Sequence, residues 1–225
     1  MAADLLDTLV SASSRKPRPR FIVAGAVLVA LGLIVAGWLG WQFLGTALVA
    51  KQQYAVQIDR LQTQWEDGEP VPAEGRPAAG EAFAILRVPK FGDGYEVPII
   101  AGVERRDLAR GVGAYPSSVR PGQIGNFALA GYRTTHAAPF GDLLDLNPGD
   151  EVVIETRESV FTYVIDVGAA EVTVADDAAW VLDPVPGRDG AEATQPTLTL
   201  TTSQDLLRSP DRSVAFGHLG GTRNK

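Results

Sequence analysis

The segment Thr197-Leu-Thr-Leu-Thr-Thr-Ser-Gln-Asp-Leu-Leu-Arg-Ser-Pro-Asp-Arg212 decides how this 225-residue chain is read. Leu198 and Leu200 alternate with Thr197, Thr199 and Thr201, the period of two expected of a strand with one buried face. Ser203 stands where that strand runs out, and Arg212 precedes a second apolar strand, Ser213 to Phe216. A small hydroxyl at a strand end, set against an arginine from the next strand, suggests an acyl-transfer site with a nucleophile and an oxyanion partner. Taken alone, the same residues also describe an ordinary polar loop between two strands.

Composition narrows the chemistry. The chain has no cysteine, so it has no disulfide, no thiol nucleophile and no cysteine metal site. Its two histidines, His136 and His218, do not stand in any metal-ligand spacing. Asp176-Asp177 reads as a solvated loop rather than a calcium pair. No metal and no cofactor are expected. A net charge of -7 argues against nucleic acid as a partner.

Phe21 to Ala50 contains no charged residue, long enough for a bilayer core that needs about 20 apolar residues. Arg15, Lys16, Arg18 and Arg20 stand before it and Lys51 alone after it. This asymmetry predicts a single-pass anchor with the N-terminus inside and the bulk of the chain extracytoplasmic. A cleaved signal peptide would have an apolar region of only about 7–15 residues, so an uncleaved anchor is preferred. Gly32, Ala36 and Gly40 make a small-residue stripe of the kind that packs membrane helices.

Four boundaries follow from these patterns. Residues 1–20 form a cytoplasmic basic tail and 21–50 the transmembrane anchor. Residues 51–81 form a juxtamembrane helix, with Tyr54, Ile58, Leu61 and Trp65 at helical spacing, followed by a Pro/Gly/acidic linker. The folded domain runs from Ala82 to Leu219, with 220–225 as a tail. Within it, Ala84–Val88, Val97–Ile100 and Asn126–Gly131 read as strands, and a helical turn is expected through Arg105 to Arg110. The runs 151–156 and 160–167 make a hairpin entered by the turn Asn147-Pro-Gly-Asp150. About eight short strands and little helix point to an all-β barrel or sandwich.

The run Asn126-Phe-Ala-Leu-Ala-Gly-Tyr-Arg-Thr-Thr-His-Ala-Ala-Pro-Phe-Gly-Asp142 resembles the sortase family, in its actinobacterial class E branch. There the corresponding stretch reads Gly-His-Arg-Thr-Thr-(His or Tyr)-Gly-Ala-Pro-Phe. Ala84-Ile-Leu-Arg-Val-Pro-Lys90, Leu146-Asn-Pro-Gly-Asp150, Val181-Leu-Asp-Pro-Val185 and Leu198-Thr-Leu-Thr-Thr202 resemble further family segments in the same order. The resemblance implies an eight-stranded sortase-type β-barrel preceded by a single transmembrane helix. It implies a groove for a sorting signal of the Leu-Pro-x-Thr-Gly or Leu-Ala-x-Thr-Gly type. In active members a histidine, a cysteine and an arginine cleave that signal through a thioacyl enzyme.

The match at those three positions is incomplete. Ser203 occupies the cysteine position and Tyr132 the histidine position, while Arg212 matches the arginine. A cysteine thiol with a pKa of about 8.5 offers some thiolate near neutrality, whereas a serine hydroxyl needs a base. A phenol with a pKa near 10 is a poor one. His136, four residues beyond Tyr132, is the candidate substitute base, although a hydrogen-bonded loop role is preferred because the family branch carries a histidine there beside its catalytic one. The expectation is a catalytically degenerate, membrane-anchored module that binds a sorting-signal-like peptide or a cell-envelope protein. The alternative is an active transpeptidase or hydrolase with Ser203 as nucleophile.

Overall fold

A computed structural model describes residues 19–40, 46–67, 77–203 and 210–225. The basic tail through Arg18, Trp41, most of the acidic linker, and residues 204–209 lie outside the described residues. The chain divides into two compact units, Met1–Gln42 and Phe43–Lys225. The first contains helix α1, Pro19–Gly40. Its Leu28, Leu33, Ile34 and Trp38, spread round the helix, are each at least 60% exposed. Among the described residues no helix is long and apolar enough to cross a membrane.

Helix α2, Thr46–Glu66, belongs to the second unit. It begins inside the 21–50 run, and Ala50 is only 2% exposed because it lies one turn before Tyr54 on the same helical face. Ala50, Tyr54, Ile58 and Leu61 recur every three or four residues and are all buried. Ala50 and Tyr54 join the main core, while Ile58 and Leu61 pack on Ile85. Gln57 and Arg110 interlock beside them: Gln57 Nε2 donates to Arg110 O at 2.9 Å, and Arg110 Nη2 to Gln57 Oε1 at 3.1 Å. At the helix end, Lys225 Nζ lies 4.2 Å from the Trp65 ring centroid and also pairs with Glu155, which Arg87 holds from the other side. The helix expected from the Tyr54, Ile58, Leu61 and Trp65 stripe therefore lies on the domain, while most of the expected spacer lies outside the described residues.

The domain is a barrel. Its strands are β1 Ala82–Arg87, β2 Glu96–Ala101, β3 Val112–Ala114, β4 Gly125–Ala130, β5 Glu151–Glu155, β6 Ser159–Val167, β7 Thr173–Ala175, β8 Pro196–Ser203 and β9 Asp211–Asn224. The sheet order β6-β5-β1-β2-β3-β4-β8-β9 closes through a β6–β9 pairing, giving eight strands around the barrel. The short β7 continues past β6 along the same edge of β9. β2–β3 and β4–β8 are parallel and the other pairs antiparallel. A one-turn helix α3, Arg105–Leu108, precedes β3. The predicted Asn147–Asp150 turn forms, with Gly149 at φ 92 and Asp150 Oδ2 accepting from Asn147 N at 2.7 Å. Residues 220–224, expected as part of a tail, extend β9 and pair with β6.

β8 departs from the expectation of one buried face. Leu198 and Leu200 enter the core, but Thr199 and Thr201 are 0% and 3% exposed as well. The segment around Val181 and Asp183 covers the far side, anchored to Asn126, whose Nδ2 donates to both carbonyls at 2.9 and 3.1 Å. The threonine hydroxyls are satisfied there. Thr199 Oγ1 donates to Asn126 Oδ1 at 2.8 Å, Thr201 Oγ1 to Leu129 O at 3.2 Å, and Thr202 Oγ1 to Gly131 O at 2.9 Å. Threonine fits this strand because it combines β propensity with a hydrogen-bonding group where the sheet is buried on both sides.

Candidate active site

Two ladders bring the distant sequence positions together. The parallel β4–β8 register ends at Ala130↔Thr201, and Gly131 N continues it by donating to Thr201 O at 3.1 Å. Tyr132 follows directly. On the other side of β8, Ser203 pairs with Arg212 of β9, and Arg212 also pairs with Val174 of β7. Positions 132, 203 and 212 thus meet at one end of three adjacent strands. The Ser203 side chain and its separation from His136 lie outside the described residues.

Arg212 lines a cleft of about 220 Å³ together with Tyr115, Thr201, Val214, Val181 and Leu182. Tyr115 OH and Thr201 Oγ1 are 3.3 Å apart and share a hydrogen bond across its floor. Asp176 and Asp177, expected as a solvated loop, also border this cleft. Among the described residues no cluster of acidic or histidine side chains is arranged to hold a metal. A larger concavity of about 530 Å³ lies beside Gln195 and Phe216, but it holds none of the three positions. Trp180 stacks on Phe216 with ring centroids 6.1 Å apart.

His136 lies close to Tyr132 but in an unusual turn. The two rings stack at 4.8 Å with planes 20° apart, and His136 Nδ1 is 3.0 Å from Thr135 Oγ1. Burial holds the imidazole below its ordinary pKa, so it is neutral at pH 7. His136, Ala137 and Ala138 have φ values of 54°, 62° and 47°. Each such left-handed residue bearing a Cβ costs about 1–2 kcal/mol, so the surroundings must impose the turn. Phe140, fully buried, anchors its far end, and Phe140 N donates to Tyr132 O at 3.0 Å. His218 is remote in register, paired with Thr197 and Val164, and its Nδ1 lies 2.7 Å from Asp166 Oδ1.

Several residues of the site escaped the sequence reading. Tyr115 lines the cleft and Tyr54 reaches the His136 carbonyl, while Val181 and Leu182, which line it too, stand in a segment that carries the resemblance but no assigned role. Only Asn126 left a signal: a polar residue opening an otherwise apolar strand must find buried partners.

The closed barrel thus carries, at one end, a cleft lined by Arg212 and the strand-terminal position of Ser203 beside that arginine. A family model for the sortase domain matches residues 86–220. Sortase SrtE1 of Streptomyces coelicolor is 31% identical over 218 residues, 92% of this chain and 60% of that protein. The chain therefore spans about 60% of that relative's length. Sortase D of Bacillus subtilis is 30% identical over 67% of this chain and 75% of its own length. Among solved structures, sortase E from Streptomyces avermitilis superposes with a TM-score of 0.59 at 36% identity, covering 66% of this chain and 93% of that one. Sortase E1 from Streptomyces coelicolor, solved with a tripeptide in the active site, gives 0.57 at 31% identity, covering 66% and 94%. The chain belongs to the sortase family and is of the class E type.

Proposed function

We propose that this chain is a membrane-anchored, extracytoplasmic class E-type sortase homologue that no longer transfers peptides and serves as a peptide-binding or scaffolding module of the cell envelope. The observation that carries this reading is chemical. The chain has no cysteine, and the two positions that resemble the nucleophile and base hold Ser203 and Tyr132. The barrel, the cleft and Arg212 are retained around them. In another hydrolase, loss of the nucleophile or base alone lowers turnover by on the order of 10⁶. An anchor is supported by the uncovered apolar surface of α1 and the basic cluster before it, with the N-terminus inside and the barrel outside. The occupant of the cleft would be a sorting-signal-like peptide or a cell-envelope protein that displays one. The test is incubation of the full chain in detergent with a Leu-Ala-x-Thr-Gly peptide and an amine. Binding without cleavage is expected, and cleavage that disappears in Ser203→Ala overturns the proposal.

A second reading keeps turnover. A neutral His136 next to Tyr132 has the protonation state a general base requires. In this reading His136 takes the Ser203 proton as the hydroxyl attacks the peptide carbonyl and gives it to the departing amine as the C–N bond breaks. This leaves an acyl ester that water or a second amine then cleaves. A cleavage activity abolished by either Ser203→Ala or His136→Ala favours this reading over the first.

A further inference from the structure

The turn that follows Tyr132 is held from outside itself. His136, Ala137 and Ala138 are three consecutive left-handed residues, and none is a glycine. Their own backbone preferences oppose this conformation. The local hydrogen bonds, Ala138 N to Thr135 O at 2.9 Å and Gly141 N to Ala138 O at 2.8 Å, are of a kind that other turn geometries also supply. Two non-local bonds come from tyrosine hydroxyls. Tyr95 OH donates to Pro139 O. Tyr54 OH, on α2, donates to His136 O at 2.7 Å across 82 positions of sequence. Tyr54 is 5% exposed, and burial pushes its phenol well above the ordinary value, so the hydroxyl remains a donor.

From this geometry we infer that α2 is part of the site: Tyr54 is a positioning residue that acts through the His136 carbonyl to hold the 136–138 turn and the Tyr132–His136 stack. Helix α2 is seated separately by Ile58 and Leu61 against Ile85 and by the Gln57–Arg110 pair. Removing one hydroxyl therefore leaves the helix docked and frees only the turn. The inference concerns the geometry of the loop and holds whether or not the centre turns over.

The experiment uses the full chain, isotope-labelled in detergent micelles, with Tyr54→Phe compared with the native protein. Amide exchange is read at Ala138 and Phe140, whose N–H groups bond within the loop, and at Leu129 and Leu200 in the β4–β8 ladder. With only two histidines in the chain, the His136 ring protons report the Tyr132 stack through its ring current. Exchange at Ala138 and Phe140 should quicken at least tenfold with Leu129 and Leu200 unchanged, and the His136 ring resonances should move downfield. Ala137→Gly, which removes a left-handed penalty, should restore slow exchange in the Tyr54→Phe background. Unmoved loop amides and His136 resonances, or an acceleration shared with the ladder, would reduce Tyr54 to ordinary packing and overturn the inference. Ala137→Gly in the native background should slow exchange at Ala138. No change there equally overturns it, so the test survives poor accumulation of Tyr54→Phe.

Discussion

Ser203 and Arg212 are backbone partners on the last described rung between β8 and β9. The pairing does not depend on what side chain sits at 203. It follows from the closed barrel and from the threonine-rich strand that leads to it, both of which this chain has kept.

On the proposed reading, placing a histidine at 132 and a cysteine at 203 should bring chemistry to the cleft. In Tyr132→His with Ser203→Cys, cleavage of a fluorogenic Leu-Ala-x-Thr-Gly peptide should rise by at least about 10²-fold over the native chain, with Arg212→Ala reversing the gain. Each single variant should remain near background, because nucleophile and base act as a unit. A double variant that folds, binds the peptide and does not cleave it would move the defect from these two side chains to the cleft.

Asn126 joins β4 to the cover of the cleft through two hydrogen bonds and to Thr199 of β8 through a third. Asn126→Ala leaves Thr199 Oγ1 and two carbonyls without this partner, at a cost of about 2–3 kcal/mol in denaturant unfolding. Peptide affinity should fall as well, since Val181 and Leu182 ride on the released segment.

Gly131→Ala tests the packing beneath Tyr132. A Cβ at this position would lie 2.6 Å from Phe140 Cδ2 and 2.8 Å from its Cγ, and that ring is fully buried. Overpacking of this kind costs about 1–3 kcal/mol. The expected result is a lower unfolding midpoint, accompanied by altered His136 ring resonances as the turn shifts.

Acid should destabilise the fold in two steps. Burial keeps the folded His136 pKa below the ordinary 6.5, so unfolding takes up a proton and stability declines as pH falls from there through the folded value. Burial opposes ionisation of Glu155 too, but hydrogen bonds from Lys225 and Arg87 outweigh it and depress the carboxyl below 4.5. Its contribution is complete above 4.5 and is lost as pH falls below that value. Glu155→Gln should cost about 1–2 kcal/mol at pH 7 and flatten the lower step. Denaturant midpoints at pH 7, 5.5 and 3.5 read both effects.

The strand periods of β8 and the β5–β6 hairpin were legible because alternation survives in residue type. The resemblance placed 132, 203 and 212 in one site before any pairing was known. What stayed hidden depended on partners. The Tyr54, Ile58, Leu61 stripe announces an amphipathic helix but does not name Ile85 or the His136 carbonyl as its counterpart. His136-Ala137-Ala138 contains no glycine to mark a left-handed turn, since tertiary contacts impose the conformation. β3, with three residues, is too short for a period to register.

Trp180 stands 39% exposed against Phe216, with its neighbours Ala179 and Val181 lining the cleft. A natural fluorophore is thereby set between two residues of the cleft lining, while Trp65 sits under Lys225 on α2. Occupancy by an extended ligand should change the polarity around that indole and shift its emission, so ligands can be sought optically, without a label and without an assay of turnover.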